Sequence, residues 1–349
     1  MRRYGEHMQT AVDHTPGPGR VTIADVARAA GVSIPTVSKV VNNRDGVAPA
    51  TMVRVQEVVE RLGYETSLVA RSLRSSRTNV IGILVPEFEP FSTELLRGVS
   101  AATIGTGYEL LAYAGLEAGT GRPGWERRSL SRLSGTLIDG AIVVTPSAAL
   151  SGSSIPVVAI DPHTGPEGHA TVDTDNAAGA RDAVEHLLGL GHTRIAHVQG
   201  RGDLASSQLR EAGFREALAA AGVRVDERLV RAGDYQEERS AAVAHELLTL
   251  PDRPTAVFAA NDSSAIGVLH AAADLGIRVP EDLSVVGFDD VPQASTTTPP
   301  LTTVAQPLAD LGASAVAMLM AMLRGEPTSD HVRLRSTLRV RSSTGPAPA

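Results

Sequence analysis

Cysteine is absent from all 349 residues, which rules out disulfides and thiolate metal sites and agrees with a reducing compartment. Lysine is nearly absent as well. Lys39 is the single lysine and every other basic side chain is arginine, a bias that reflects gene base composition more than function. No run of about 18 apolar residues occurs, so no membrane span is expected. The opening stretch MRRYGEHMQTAVDHTPGPGR has arginines but no apolar segment behind them, so no signal peptide is expected and the expected location is cytoplasmic. There is no P-loop, no nucleophile elbow and no H-E-x-x-H, so neither an enzyme nor a cofactor is expected. His163 and His169 lie in a Gly/Pro-containing loop without further ligands at metal spacing, and both read as surface histidines with no metal.

What is present is a soluble composition, 42% hydrophobic with mean hydropathy near zero. The length suits a compact module plus one or two larger domains. The net charge of −7 hides an asymmetry: residues 20–77 hold nine Arg/Lys against five Asp/Glu, while residues 78–349 hold 21 against 32. An acidic body with a basic end is expected when only that end meets DNA.

The basic end contains TIADVARAAGVSIPTVSKVVN, residues 22–42, which reads as two short helices meeting at a glycine. Ile23, Val26, Ala27 and Ala30 recur at helical spacing, Thr22 is placed to cap, and Asp25 stands where a capping box needs an acid. Gly31 ends that helix. Ser33 caps a second one, Pro35 is tolerated in its first turn, and Val37, Val40 and Val41 form its inner face. Ile34, Pro35, Ser38 and Lys39 then face outward near the start of the second helix, where a major-groove helix meets base edges. Thr22, Ser33, Thr36 and Asn42 are placed for phosphates. An ordinary helical hairpin with solvated polar residues carries the same pattern. A third helix is expected from Pro49 to Leu62, stopped by Gly63 and started from Ala48, which has no capping side chain.

Beyond residue 79 short apolar runs alternate with longer helical stretches. Strands are expected at Val80–Val85, Glu109–Tyr113, Ala141–Val144, Val157–Ile160, Ile195–Val198, Ala256–Ala260 and Ser284–Phe288, separated by seven helix-like segments. That alternation predicts parallel sheets in an α/β fold, long enough for two lobes. Asn261-Asp262 and Asp289-Asp290 each follow a candidate strand directly, where open α/β sheets bind ligands. Their carboxylates and amides suit a polyol. Asp262 and Asp290 fit helix capping equally. Arg201-Gly202-Asp203 reads as a polar turn, and the single tryptophan, Trp125, either reaches a cleft or packs a helix start.

The motifs VTIADVARAAGVSIPTVSKVVN, LVARSLRSSRTNVIGILVP, QLREAGFREAL, FAANDSSAIGVLHAAADLGIRVPEDLSVVGFDD and PPLTTVAQP together resemble the LacI/GalR family of transcriptional repressors from Val21 to Ser343. The Gly/Pro/polar composition of residues 1–19 predicts a disordered arm, and that of 344–349 a disordered tail. The resemblance implies a helix-turn-helix headpiece over 20–64, a hinge helix with linker over 65–77 and a two-lobed, periplasmic-binding-protein-like core over 78–343. By the same resemblance the first lobe holds about 78–175 plus a helix near 308–323, and the second holds most of 176–306 with the final strands. A homodimer would bind a palindromic double-stranded DNA operator and answer to a small effector, a sugar or sugar derivative. Ala70, Arg71 and Leu73 would act in the hinge, Leu73 as a minor-groove wedge. Arg210, Asn261 and Asp289 are the implied cleft residues. Phe91 is a candidate for an apolar ring face and equally for a core aromatic, and Asp161 is a weaker candidate that surface capping explains better. Ile34 and Pro35 depart from better-known members in having no hydrogen-bonding side chain, so they would select bases by shape and thymine-methyl contact.

Overall fold

A computed structural model describes residues 21–41, 44–64, 77–115, 124–150, 152–165 and 169–348. The chain divides near residue 75 into two separately packed units. In the first, α1 (Ile23–Ala30), α2 (Ile34–Val41) and α3 (Pro49–Leu62) enclose a small core in which Val26, Val37 and Val55 are fully buried. The capping box forms as the pattern predicts: the Thr22 hydroxyl donates to Asp25 Oδ2 at 2.6 Å, and the Thr22 amide donates to the same oxygen at 3.0 Å. Gly31 turns the chain at φ +64°, a conformation that costs a side-chain-bearing residue. Ala48 does stand at the start of α3 without a side-chain cap.

The second unit holds two six-stranded sheets. Its first lobe contains β1 (Val80–Val85), α4 (Pro90–Thr103), β2 (Glu109–Ala114), α5 (Trp125–Leu133), β3 (Gly140–Val144), β4 (Val157–Ile160) and β5 (Ala170–Thr174). The second contains α6 (Asn176–Gly189), β6 (Ile195–Gln199), α7 (Ala205–Ala220), β7 (Val230–Ala232), α8 (Glu237–Leu248), β8 (Ala256–Ala259), α9 (Asp262–Asp274), β9 (Ser284–Asp289) and β10 (Thr302–Ala305). After them α10 (Leu308–Arg324), β11 (His331–Leu334) and β12 (Thr337–Arg339) complete the chain. The sheet orders are β11-β5-β4-β3-β1-β2 and β12-β10-β9-β8-β6-β7. Every pairing is parallel except β10 with β12. Strands such as VIGILV are buried along their whole length because helices cover both faces, which is why they read as continuous apolar runs and not as alternation. In the second sheet Val257, Ala259 and Val285 pack under α8 and α9, while their neighbours Phe258, Val286 and Phe288 pack under α6 and α7.

The lobe assignment needs one correction. The final strands do not all join the second lobe: β11 pairs with β5 in the first sheet and only β12 joins the second. Helix α10 packs on α4 and the first-lobe core, as expected. The chain therefore crosses between lobes after β5, after β10 and again between β11 and β12. The tail is a second correction. Residues 344–348, expected to be disordered, lie against the second lobe: Gly345 donates to Ser284 Oγ at 3.0 Å, and Ala347 donates to the Leu190 carbonyl at 2.9 Å. Backbone pairing of this kind does not depend on the Gly/Pro side chains from which disorder was read. No helix among the described residues is long and apolar enough to cross a membrane.

Candidate nucleic-acid interface and ligand cleft

The first unit presents the start of α2 to solvent. Ile34, Pro35 and Lys39 are exposed, and Ile34, at 46% exposure, is one of the few large apolar side chains left uncovered. Ser33 and Thr36 share a hydroxyl hydrogen bond of 2.8 Å, and the Thr36 amide donates to Ser33 Oγ at 3.3 Å, so Ser33 caps the helix as expected. Ser38 is half-buried on the same helix. A shallow depression joins Ser33, Pro35, Thr36 and Lys39 to Thr51 and Arg54 on α3. Arg54 was not singled out from the sequence, although it lies off the Val55 and Val58 face and exposed on the same side as Lys39. Asn42, Ala70, Arg71 and Leu73 lie outside the described residues.

In the second unit a cavity of about 290 Å³ lies between the lobes, walled by the segments that leave the carboxyl ends of strands in both sheets. Phe91, Asp161, Arg210, Asn261 and Asp289 all line it. Arg210 comes from α7, which approaches α6 closely: a Cβ on Gly213 would sit 2.2 Å from the Ala177 carbonyl oxygen. Its guanidinium is buried and lies 3.8 Å above the Phe288 ring. Its Nε donates to Asn176 Oδ1 at 2.8 Å, its Nη1 donates to the Ala260 carbonyl, and the same Nη1 is 3.6 Å from Asp289 Oδ1. Asp289 ends β9 at φ +116° and accepts from Gln306 Nε2 at 2.8 Å. Across the cleft, Asn176 Nδ2 donates to Asp161 Oδ1 at 3.3 Å. Asn176 thus bridges Asp161 of the first lobe and Arg210 of the second.

Burial pushes the Asp161 carboxyl up, with the Arg210 charge opposing. Asp289 is pushed up to about 7 by burial, against Arg210 and the Gln306 hydrogen bond and reinforced by Glu89 and Asp161. Five residues of the cleft wall, Thr145, Asp161, Asp234, Tyr235 and Asp289, have positive φ without being glycine. Such strain persists where surrounding structure over-determines the backbone, and it gathers at ligand sites. Tyr235 lies over Gly200, where a Cβ would come within 2.1 Å of its ring, and its hydroxyl shares a hydrogen bond of 3.1 Å with Ser206.

Several expectations change here. Asp161 is buried in the cleft wall and caps no surface turn. His163 lines the cavity, with burial driving its pKa down to about 4, and His169 is half-buried; neither is a surface histidine. Arg201 is bound to Asp203 in a turn as read, but it also reaches the cavity. Asp262 caps nothing: it accepts from the Val291 amide at 2.9 Å and the Thr303 hydroxyl at 2.5 Å, tying strand ends together. Asp290 pairs with Arg339 and Arg341. Trp125 packs its helix start against Gly115 and does not line the cavity.

Residues 22–67 match the family model of bacterial regulatory proteins, lacI family, and residues 184–344 match a periplasmic binding protein-like domain. Catabolite control protein A of Priestia megaterium is 34% identical over 333 residues, covering 93% of this chain and 99% of that protein. The chain belongs to the lacI family of bacterial regulatory proteins. Among solved structures, the Lac repressor dimer bound to operator and the anti-inducer ONPF aligns with a TM-score of 0.80 and 27% identity, covering 94% of this chain and 100% of that one. The complex of the transcriptional regulator CelR with cellobiose aligns with a TM-score of 0.67 and 32% identity, covering 93% and 100%. As a lacI-family member the protein is a DNA-binding transcriptional regulator, with its helix-turn-helix unit at residues 22–64 and its periplasmic-binding-protein-like fold in the second unit. Tyr235, Ser206, Glu89, Asn176 and Gln306 belong to the cleft or its supports and were not singled out from the sequence. Only Glu89 had a readable signal, since Glu89-Pro90 opens a helix with Pro in the first turn.

Proposed function

We propose that this lacI-family regulator is a cytoplasmic repressor, not a catalyst, that binds a palindromic operator as a homodimer and answers to a small sugar-like effector held in the inter-lobe cleft. The observation that carries the reading is the cavity itself, where Arg210, Asn261 and Asp289 converge at strand ends. A carboxylate accepts from neighbouring hydroxyls, an amide donates and accepts, and a guanidinium forks onto ring and hydroxyl oxygens. Phe91 at the wall offers a ring face to the C–H side of a sugar. A volume of about 290 Å³ falls near the lower end of ligand pockets. The cellobiose-bound relative supports the same ligand class.

For the DNA side we propose base-edge contacts by Ile34, Pro35, Ser38 and Lys39, and phosphate contacts by Thr22, Ser33, Thr36 and Asn42. Arg54 joins the phosphate set, and Ala70, Arg71 and Leu73 act at the operator centre. The effector half is tested by thermal denaturation of the full chain against a panel of free sugars. A true effector at about 100 times its dissociation constant adds about 2.7 kcal/mol. No stabilisation by any sugar, or equal stabilisation of Asp289→Ala, would overturn it.

A further inference from the structure

Charge in the cleft is one-sided. Five carboxylates line it, from Glu87, Glu89, Asp161, Asp234 and Asp289, against two cations, Arg201 and Arg210; Asp234 is paired with Arg239 at 2.8 Å, and the excess stands without it. His163 adds no charge near neutrality because burial holds its imidazole deprotonated. Neither arginine is a spare cation. Arg210 commits its Nε to Asn176 and its Nη1 to the Ala260 carbonyl, with Asp289 3.6 Å away as its counter-charge, while Arg201 forks onto Asp203 at 3.1 and 2.7 Å.

Helix N-termini are the usual alternative for holding an anion, and those of α4 and α9 are taken. The amides of Phe91 and Ser92 at the start of α4 donate to the Glu89 carboxylate at 2.7 and 2.8 Å. At the start of α9 the Ser264 amide donates to Asn261 Oδ1 at 2.8 Å. Helix α8 opens with Glu237 and Glu238 in its first turn. Helix α7 has no side-chain cap, and Asp203 immediately precedes its capping position. The carboxyls of Glu89, Asp161 and Asp289 are all pushed up, chiefly by burial, and Asp289 is raised further by the other two.

We propose that the cleft selects its ligand by charge: it takes an uncharged or amino-bearing polyol and refuses the phosphate esters and uronic acids of the same sugars. This rests on the effector reading above. Asp161 and Asp289 accept from hydroxyl or ammonium groups, and Glu89 occupies the helix end that a phosphate would otherwise use. An anion brought within about 4 Å of an uncompensated carboxylate at a partly desolvated site loses on the order of a hundredfold or more in affinity.

The test is thermal denaturation and calorimetry of the full chain with free mono- and disaccharides, each run beside its phosphate ester, its uronate and its 2-amino-2-deoxy counterpart. Stabilising ligands should be confined to the free and amino sugars, with the matching anion at least about a hundredfold weaker. In Glu89→Gln, which keeps an oxygen to cap α4, that gap should narrow at least about tenfold. An anionic sugar that binds as well as its neutral counterpart, or a gap unchanged in Glu89→Gln, overturns charge selection and leaves the effector reading standing. If no sugar of any charge binds, the effector reading fails and the selection falls with it.

Discussion

Asn176 illustrates how one buried side chain can serve both lobes, since it meets Asp161 of the first and Arg210 of the second, and Arg210 in turn faces Asp289. Asp289→Asn keeps the shape of its partner but removes the charge, and Arg210→Ala leaves buried acceptors without donors. Each should weaken effector binding by about 3 kcal/mol or more while operator affinity without effector stays at the wild-type level, as calorimetry and operator titration would show. The protonation of Asp289 gives a second expectation. Its pKa of about 7 lies above the ordinary 3.8 because burial disfavours the charge, with Arg210 and Gln306 opposing that and Glu89 and Asp161 adding to it. Between those values the native state holds more proton than the unfolded chain, so this group's contribution to stability falls as pH rises through the window. Effector hydroxyls donate to the ionised form. Binding should therefore release protons near pH 7 and weaken as pH falls from 8 to about 6, measured by calorimetry in buffers of differing ionisation enthalpy. Arg210, Asn261 and Asp289 were legible because each sits in a motif at a strand end or on the helix facing it. Tyr235 and Asn176 were not, because the short strands before them, Val230–Ala232 and Ala170–Thr174, carry too few apolar residues to mark a strand end.

At the scale of elements, the helices of the first unit were readable to within a residue. Their caps, Thr22 with Asp25 and Gly31, are local chemistry that needs no tertiary contact. Six of the seven strands read from the sequence were readable for a different reason: burial leaves uninterrupted apolar runs, whereas β2 is a sheet edge with no buried residue. β11 and β12 were missed as separate elements because each lies at a sheet edge with alternate residues exposed, in stretches studded with arginine. The sheet that β11 joins depends on contacts more than 150 residues away, such as Arg333 with Asp173, and β12 joins the other by pairing Arg339 with Thr303; no local pattern encodes that choice. Helix α3 supplies the prediction here. Ala48 makes no side-chain cap, so Ala48→Ser or Ala48→Asp should supply an oxygen that accepts from the first-turn amides and stabilise the helix-turn-helix unit by about 1 kcal/mol. Chemical denaturation followed by circular dichroism would register it. An unchanged midpoint would mean that those amides are satisfied in another way.

For the whole molecule, the positive charge of the first unit and the acidity of the second divide the work between DNA and effector. Each helix-turn-helix unit offers only a few phosphate contacts, so two must be engaged together for tight binding. Operator affinity should fall by orders of magnitude between about 50 and 200 mM salt. Lys39→Ala and Arg54→Ala should each lower affinity, and a phosphate-contacting residue should reduce the salt slope by about one when removed. Paired copies of the first unit are expected to read an inverted repeat, which can be checked by selecting binding sites for the full chain from a random duplex library. The enriched pool should share a two-fold symmetric sequence, bound by a species that sedimentation velocity shows to be a dimer. A pool without two-fold symmetry, or a monomer saturating the selected sites, would contradict it.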